Sequence, residues 1–458
     1  MNNRIFGTDG VRGTANIEPV TAETALKLGR AAAHVFKNLN RQARDRGKHK
    51  IVIGKDTRLS GYMLENAISS GILSMGVDVL FIGPLPTPGV AYITRSLRAD
   101  AGIVITASHN PYADNGIKFF RADGYKLDDQ IENQIEKLVF GGEIEKVRPA
   151  AEEIGKAVRI DDALGRYIEF AKAGFPKNLT LENMRIVVDC GNGAAYKSSP
   201  CVLRELGADV IVFGNQPDGK NINENCGSMH PENLCAKVVA HKAHMGIAHD
   251  GDADRVLLCD ENGVLADGDD IMAIAAIDML SRGTLAAKTL VATVMSNAGL
   301  EPAINKAGGS VVRTAVGDKN VIDELLKNSF NFGGEQSGHL IFRDFSTTGD
   351  GLVAALQILR IMRETNQPLS QLVKCWTRFP QLVANVKVRE KVPFEKLDGV
   401  LTMVSAAETE LKSAGGRVLL RYSGTEPKAR LLLEGRDEDN LKAWSQKICG
   451  AIQKQIGT

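Results

Sequence analysis

The fold class this sequence predicts is α/β: three related mixed-sheet α/β domains and a smaller C-terminal α+β domain around a central cleft. Two observations predict it. A succession of apolar runs and helix-compatible stretches occurs three times, and after about residue 368 it gives way to a different pattern. A chain of 458 residues is also too long for one core and divides into roughly three or four domains of ~100 to 200 residues.

The repeated succession opens with Ile51-Val52-Ile53-Gly54, Ile186-Val187-Val188-Asp189 and Leu290-Val291-Ala292-Thr293, each followed by a helix-compatible stretch. A second strand follows at Gly76 to Val79, Gly207 to Val210 and Gly309 to Val312. A third run enters a polar loop each time: Ala101 to Ile105 into Thr106-Ala107-Ser108-His109-Asn110-Pro111, Gly246 to Ala248 into His249 to Arg255, and Asn331-Phe332 into Gly333 to His339. A fourth run closes each copy, at Gly116 to Phe120, Arg255 to Leu258 and His339 to Phe342. Strands alternating with helical stretches imply βαβ units and a mostly parallel sheet with an antiparallel edge. The last part reads strand (Val383 to Val388), helix (Phe394 to Ala414), strand (Arg417 to Leu420), polar loop (Arg421 to Arg430), strand (Leu431 to Glu434) and helix. The expected domains are 1–150, 151–255, 256–368 and 369–458.

Ligands of open α/β sheets bind beyond the carboxyl ends of the strands, where the three polar loops fall. Ser108 therefore becomes a candidate reacting hydroxyl. Asp250, Asp252 and Asp254 alternate with small residues, and on extended backbone their carboxylates would share one side. That arrangement suits a hard cation such as Mg2+, which takes oxygen ligands and shares phosphate oxygens. An EF-hand reading places Glu261 at position 12 but has Arg255 where glycine is required, and Val256 to Cys259 reads as a strand. An unactivated serine is a poor nucleophile, whereas a phosphorylated Ser108 could lend an oxygen to the metal and pair with Arg255. His109 neighbours Ser108 on a stretch read as extended, so the two side chains are expected to point apart and His109 is assigned a structural role.

Arg421, Ser423, Gly424, Thr425 and Arg430 combine two guanidiniums, two hydroxyls and glycine-freed amides, the donor set of a phosphate site. Glu335, Ser337 and His339 suit sugar hydroxyls. Arg12 and Lys118 are cations beside glycine-rich segments, either exposed or facing a phosphoryl group. With 56 basic and 55 acidic residues, no net charge is available to hold a polyanion, so nucleic acid is not an expected partner. No window reaches the ~18 apolar residues of a membrane span, and the N-terminus lacks an apolar signal region, so a cytoplasmic protein is expected. Seven cysteines without a C-x-x-C pair read as reduced. No P-loop is present, and Gly349 to Ala354 lacks the later acidic residue of a dinucleotide site.

Taken together, Phe6-Gly7-Thr8-Asp9-Gly10-Val11-Arg12-Gly13, the DGDADR loop at Asp250, GEQSGH at Gly334 and RYSGTEP at Arg421 resemble the α-D-phosphohexomutases, in order and over the whole chain. The DGDADR form is most like the bacterial branch acting on amino sugars; the phosphomannomutase/phosphoglucomutase branch usually carries DGDGDR. The resemblance implies a four-domain isomerase that interconverts glucosamine 6-phosphate and glucosamine 1-phosphate through a 1,6-bisphosphate, upstream of UDP-N-acetylglucosamine and the cell wall. It implies Ser108 as phosphoserine, and Asp250, Asp252 and Asp254 with a Ser108 phosphate oxygen as Mg2+ ligands. Glu335 and Ser337 would hold the sugar, and Arg421, Ser423, Thr425 and Arg430 the phosphate not being transferred. Lys118 and His339 are the candidates for proton transfer, Lys118 needing a lowered pKa that Arg12 would encourage. Thr106, Met229 and Lys319 depart from the family pattern. The expected partners are the phosphorylated amino sugar and a second copy in a homodimer. Two rival classes share these loops: a Mg2+-dependent sugar phosphatase, and a non-catalytic sugar-phosphate sensor.

Overall fold

The computed structural model describes residues 4–7, 9–39, 48–412, 415–423 and 427–458, and four sheets follow one another along the chain. Strands β1 (Phe6–Gly7), β2 (Gly10–Thr14), β3 (Lys50–Lys55), β4 (Asp78–Pro84), β5 (Ala101–Ile105), β6 (Asp114–Arg121) and β7 (Ala157–Arg159) form the first, in the order β1-β2-β6-β5-β3-β4-β7. The second contains β8 (Arg185–Asp189), β9 (Asp209–Phe213), β10 (Met245–His249), β11 (Val256–Asp260) and β12 (Leu265–Ala266), ordered β12-β11-β10-β8-β9. In the third, β13 (Thr289–Thr293), β14 (Ser310–Thr314), β15 (Phe332–Gly334) and β16 (Leu340–Phe342) run β14-β13-β15-β16. The last is antiparallel: β17 (Gln381–Lys387), β18 (Arg417–Tyr422) and β19 (Lys428–Glu434), with β19 in the middle.

The first three sheets share one unit. β3, β8 and β13 each lie between two parallel neighbours, β4 and β5, β9 and β10, β14 and β15. The third strand of each unit then turns back as an antiparallel hairpin, β5 to β6, β10 to β11, β15 to β16. Parallel strands covered on both faces need apolar residues at every position, and Ile51, Val52, Ile53, Ile103, Val104 and Ile105 are all fully buried. Each polar loop of the repeat is therefore a hairpin loop at the carboxyl end of a buried strand. In the first sheet the antiparallel strand is interior, since β6 is flanked by β5 and β2.

The expected domain divisions shift at three places. The cut after residue 255 would sever the β10/β11 hairpin, whose register runs from Met245↔Asp260 to His249↔Val256. β7, beyond residue 150, pairs with β4 in the first sheet. Beyond residue 368, Leu369, Leu372 and Trp376 join an apolar core that runs through the first three domains, and Trp376 Nε1 donates to Asp270 Oδ1 at 3.0 Å. The helix expected from Phe394 begins at Val400, because Gly399 takes φ 71° and breaks the run. Among the described residues, no helix is long and apolar enough to cross a membrane.

In the first domain the helices Ala22–Leu39 and Ser60–Leu73 cross at two glycines. A Cβ on Gly29 would lie 2.2 Å from the Ile68 carbonyl oxygen, and one on Gly71 2.2 Å from that of Leu26. Gly71→Ala must therefore push the helices apart, at a cost of about 1–3 kcal/mol or more. Urea denaturation checks this; wild-type stability in the variant would contradict the close crossing.

Candidate active site

Ser108 follows β5 on a loop that turns immediately. Its φ is 51°, in the left-handed region that L residues avoid. The hydroxyl donates to Asp250 Oδ2 at 2.5 Å across the junction of the first two domains. The Ser108 N–H donates to Thr106 Oγ1 at 2.9 Å, and that hydroxyl donates to the buried Asp56 Oδ2 at 2.7 Å. Because the backbone is turned and not extended, Ser108 Oγ and His109 Nδ1 are 3.4 Å apart. The expectation that these neighbours point apart is thus corrected. Burial, with Arg255 and Arg12 nearby, takes the His109 pKa down to about 4.

Asp250, Asp252 and Asp254 are buried, and each offers an oxygen within 4.8 Å of the others. They meet by a turn, not by the extended strand expected: the Ala253 N–H donates to the Asp250 carbonyl at 3.1 Å, and Ala253 has φ 57°. Asp252 Oδ2 accepts from Thr87 Oγ1 at 2.7 Å and from Lys118 Nζ at 3.0 Å. Asp252 Oδ1 and Asp254 Oδ1 are buried and have no hydrogen-bond partner among the described residues.

Burial and the adjacent Asp254 and Asp252 push the Asp250 carboxyl far above its ordinary range, against the pull of Arg255. Burial and Asp252 raise Asp254 as well. Asp252 is also raised by burial, but Lys118 and Thr87 outweigh this and hold it low. Three carboxylates so placed resist ionising together without added positive charge. With two orphaned oxygens, they fit a hard divalent cation.

The cations around this cluster are organised by Asp9, which the sequence reading did not single out. Lys118 Nζ lies 2.9 Å from Asp9 Oδ2, 3.0 Å from Asp252 and 3.5 Å from Asp254. Burial lowers the Lys118 pKa, but Asp252, Asp9 and Asp254 drive it well above the usual lysine range. A lowered pKa at Lys118 is therefore overturned, because its charge is neutralised from three sides. Arg12 Nη2 also contacts Asp9 Oδ2, at 2.9 Å. Lys126, likewise unforeseen, bonds Asp9 Oδ1 at 2.5 Å and reaches Asp318 in the third domain. Lys319 pairs with Asp129 at 2.5 Å.

His339 lies at the hairpin between β15 and β16 and bridges to Arg255 in antiparallel fashion. Its Nε2 is 3.6 Å from Asp318 Oδ2 and 3.9 Å from Asp254 Oδ2, and neither ring nitrogen has a hydrogen-bond partner among the described residues. Glu335 Oε1 accepts from the Gly317 N–H at 2.9 Å, and Ser337 Oγ donates to Glu335 Oε2 at 3.4 Å. Ser108, the three aspartates, Lys118, Arg12, Arg255 and His339 thus share one network, with Glu335 and Ser337 on the same hairpin as His339.

The fourth-domain cluster is separate. Arg421 and Arg430 are cross-strand partners on β18 and β19, and with Asn385, Lys428 and Met295 they line a cavity of about 280 Å³. The Ser423 N–H donates to the Lys428 carbonyl at 2.9 Å, closing the strand pair. Gly424 and Thr425 lie outside the described residues.

Other residues missed by sequence reasoning are Asp56, Arg58, Thr87 and Asn223. A signal existed for two: Asp56 and Arg58 follow β3 at its carboxyl end, the position that drew attention to the other loops. Gly349, Asp350 and Gly351 are a helix start. A Cβ on Gly349 would lie 2.4 Å from His339 Nε2, and the Gly351 N–H donates to the Ala253 carbonyl at 3.1 Å. Asp350 caps the helix Gly351–Thr365 by accepting from the Leu352 and Val353 N–H groups, and it also receives the Tyr167 hydroxyl at 3.1 Å.

Four family models match the chain in order. They are the phosphoglucomutase/phosphomannomutase α/β/α domain I over residues 3–145, domain II over 165–263, domain III over 267–379 and the C-terminal domain over 384–451. A phosphoglucosamine mutase of Syntrophotalea carbinolica is 56% identical over 457 residues, covering 100% of this chain and 99% of that protein. One of Geobacter metallireducens is 56% identical over 454 residues, 99% of each. Among solved structures, a phosphoglucomutase/phosphomannomutase family protein of Burkholderia thailandensis superposes with a TM-score of 0.79 at 24% identity, covering 99% of both chains. The N-acetylphosphoglucosamine mutase of Aspergillus fumigatus, in complex with GlcNAc-6P and magnesium, gives a TM-score of 0.65 at 17% identity, over 99% of this chain and 96% of that one.

The cap beneath the aspartate loop makes a pH prediction. Burial pushes Asp350 up to about 6, against the pull of the Val353 N–H, the Tyr167 hydroxyl and the Leu352 N–H; the unfolded value is about 3.9. The folded state holds this proton more tightly, so the contribution to stability is complete below pH ~4 and is lost as pH rises through ~6. Its size is on the order of 3 kcal/mol. Asp350→Asn keeps a capping oxygen and should lose less stability than wild type between those limits in denaturant titrations; equal losses would contradict the assignment.

Proposed function

The chain belongs to the phosphoglucomutase/phosphomannomutase family, and on that premise we propose that it interconverts glucosamine 6-phosphate and glucosamine 1-phosphate, with Ser108 as the phosphoryl carrier. The observation that carries the carrier role is the Ser108 hydroxyl at 2.5 Å from a buried aspartate triad. The amino-sugar substrate is supported by full-length relatives at 54–56% identity that bear the phosphoglucosamine mutase name.

In this reading, phosphorylated Ser108 gives its phosphoryl group to the C1 hydroxyl of glucosamine 6-phosphate. The Oγ–P bond breaks as the C1 O–P bond forms, and the hydroxyl proton passes to His339, whose ring nitrogens are buried and unbonded among the described residues. Lys118, held as an ammonium by its carboxylate neighbours, steadies negative charge instead of taking the proton. The 1,6-bisphosphate turns over in the cleft and returns its 6-phosphoryl group to the freed Ser108 oxygen; the C6 O–P bond breaks, the C6 oxygen takes the proton back from His339, and glucosamine 1-phosphate leaves. Arg421, Ser423 and Arg430 hold the idle phosphate in either orientation, with Thr425 and Gly424 of the same loop. Glu335 and Ser337 bind the sugar hydroxyls, and Arg255 pairs with the phosphoryl group. Asp250, Asp252 and Asp254, with an oxygen of the Ser108 phosphate, would hold Mg2+, which when bound offsets negative charge on the transferring group. Magnesium is named in the complex of the Aspergillus fumigatus relative.

A phosphatase would share the serine and the metal loop but has no use for a second phosphate site, and the arginine pair on β18 and β19 favours the mutase. Ser108→Ala should lower mutase turnover by more than about 10³-fold while glucosamine 6-phosphate still binds in calorimetry. Activity near wild type would remove Ser108 from the mechanism. Glucose 6-phosphate and mannose 6-phosphate, assayed beside glucosamine 6-phosphate, should be the poorer substrates; a preference for either would reassign the branch.

A further inference from the structure

We infer that Arg58 and Asn223 are positioning residues for phosphoryl transfer at Ser108, acting from opposite domains on the same two carbonyl groups. The inference rests on the reading of Ser108 as carrier.

Arg58 is fully buried, which a guanidinium tolerates only when its donors are matched. Its Nη2 donates to the carbonyls of Ser108 at 2.9 Å and Asn110 at 2.8 Å, and Nη1 donates to those of Pro111 and, at 3.1 Å, Asp114. Nε donates to Asp56 Oδ2 at 2.8 Å, the oxygen that also receives Thr106 Oγ1. One planar side chain thus pins four carbonyls between Ser108 and the start of β6, a task the point charge of lysine cannot reproduce.

Asn223 approaches from the second domain. Its Nδ2 donates to the Ser108 carbonyl at 2.9 Å and to the Asn110 carbonyl at 3.1 Å. A carbonyl oxygen has two lone pairs, and at Ser108 one is taken from each domain. Asn223 is itself held in the left-handed region at φ 59°, its N–H donating to the Gly191 carbonyl at 2.9 Å. The aspartate loop closes over the same point: a Cβ on Gly251 would lie 2.5 Å from the Ser108 carbonyl oxygen and 3.0 Å from Asn223 Nδ2.

Both residues therefore fix the plane of the peptide leaving Ser108, while Thr106 fixes the one entering it. The direction of Ser108 Oγ toward Asp250 follows from that pair of constraints, since the left-handed backbone would otherwise relax. Reaction geometry is sensitive to displacements of ~1 Å, which cost about 10²-fold in rate. Neither side chain reaches the transferring group itself, so the expected defect is in the chemical step and not in sugar-phosphate affinity.

The test uses Asn223→Ala and Arg58→Lys in the full chain. Phosphorylation of Ser108 by a hexose 1,6-bisphosphate is followed by intact mass, kcat and KM are measured with glucosamine 6-phosphate, and thermal midpoints are recorded. Both variants should slow serine phosphorylation and kcat by about 10- to 100-fold, with KM within about twofold of wild type. Arg58→Lys, with its buried carbonyls left unmatched, can fail to fold; Asn223→Ala then decides alone. A wild-type kcat in Asn223→Ala overturns the inference, as does a loss shared equally with KM or matched by the unfolded fraction. Wild-type protein that takes no phosphoryl group at Ser108 overturns the carrier reading itself. A phosphorylated wild type beside an unaffected Asn223→Ala removes only the positioning role.

Discussion

Three carboxylates gathered in a buried junction, with a serine hydroxyl against one of them, are the constraint to which the rest of this molecule answers. Charge of one sign is not buried without compensation, so the surrounding fold must deliver cations and donors to Asp250, Asp252 and Asp254. It does so from several segments. Thr87 comes from the start of a first-domain helix, Lys118 from β6, and Arg255 from the end of the aspartate loop. The close approach of backbones explains several glycines. A Cβ on Gly193 would lie 2.3 Å from the Gly251 carbonyl oxygen, and one on Gly351 2.5 Å from that of Arg255.

Around this centre the ionic contacts alternate in sign through three domains. Asp252 contacts Lys118, Lys118 contacts Asp9, Asp9 contacts Lys126, and Lys126 contacts Asp318, which lies beside His339 and, through it, Asp254. Each carboxylate in the series thereby contacts Lys118 or Lys126. The series also ties the first domain to the third across the cleft. The fourth domain stands apart from it, carrying a pair of arginines on a small antiparallel sheet.

The repeated strands and their loops were legible in the sequence because fully buried parallel strands spell continuous apolar runs, as in β3, β8 and β13. Ser108 and the aspartate triad stood out for the same reason, each lying just past such a run. The local backbone was not legible: Ser108 and Ala253 adopt left-handed conformations with no glycine at those positions to announce a turn, so both loops read as extended. The rise in the Lys118 pKa was not legible because the carboxylates that cause it, Asp252, Asp9 and Asp254, lie over a hundred positions away on either side. Asn223 and Thr87 carried no local signal, since their roles exist only once two domains meet. Domain limits slipped because the cut after residue 255 parted β11 from the hairpin it forms with β10.

The central claim is that Ser108, beside a metal-binding triad, passes its phosphoryl group to sugar and not to water. The most direct measurement is a single turnover with protein labelled by 32P on Ser108, mixed with glucosamine 6-phosphate in Mg2+ or in chelator. The account predicts that label leaves Ser108 for the sugar bisphosphate and glucosamine 1-phosphate in Mg2+, and stays on the protein in chelator. Release of the label as inorganic phosphate, or transfer at the same rate without the metal, would contradict it.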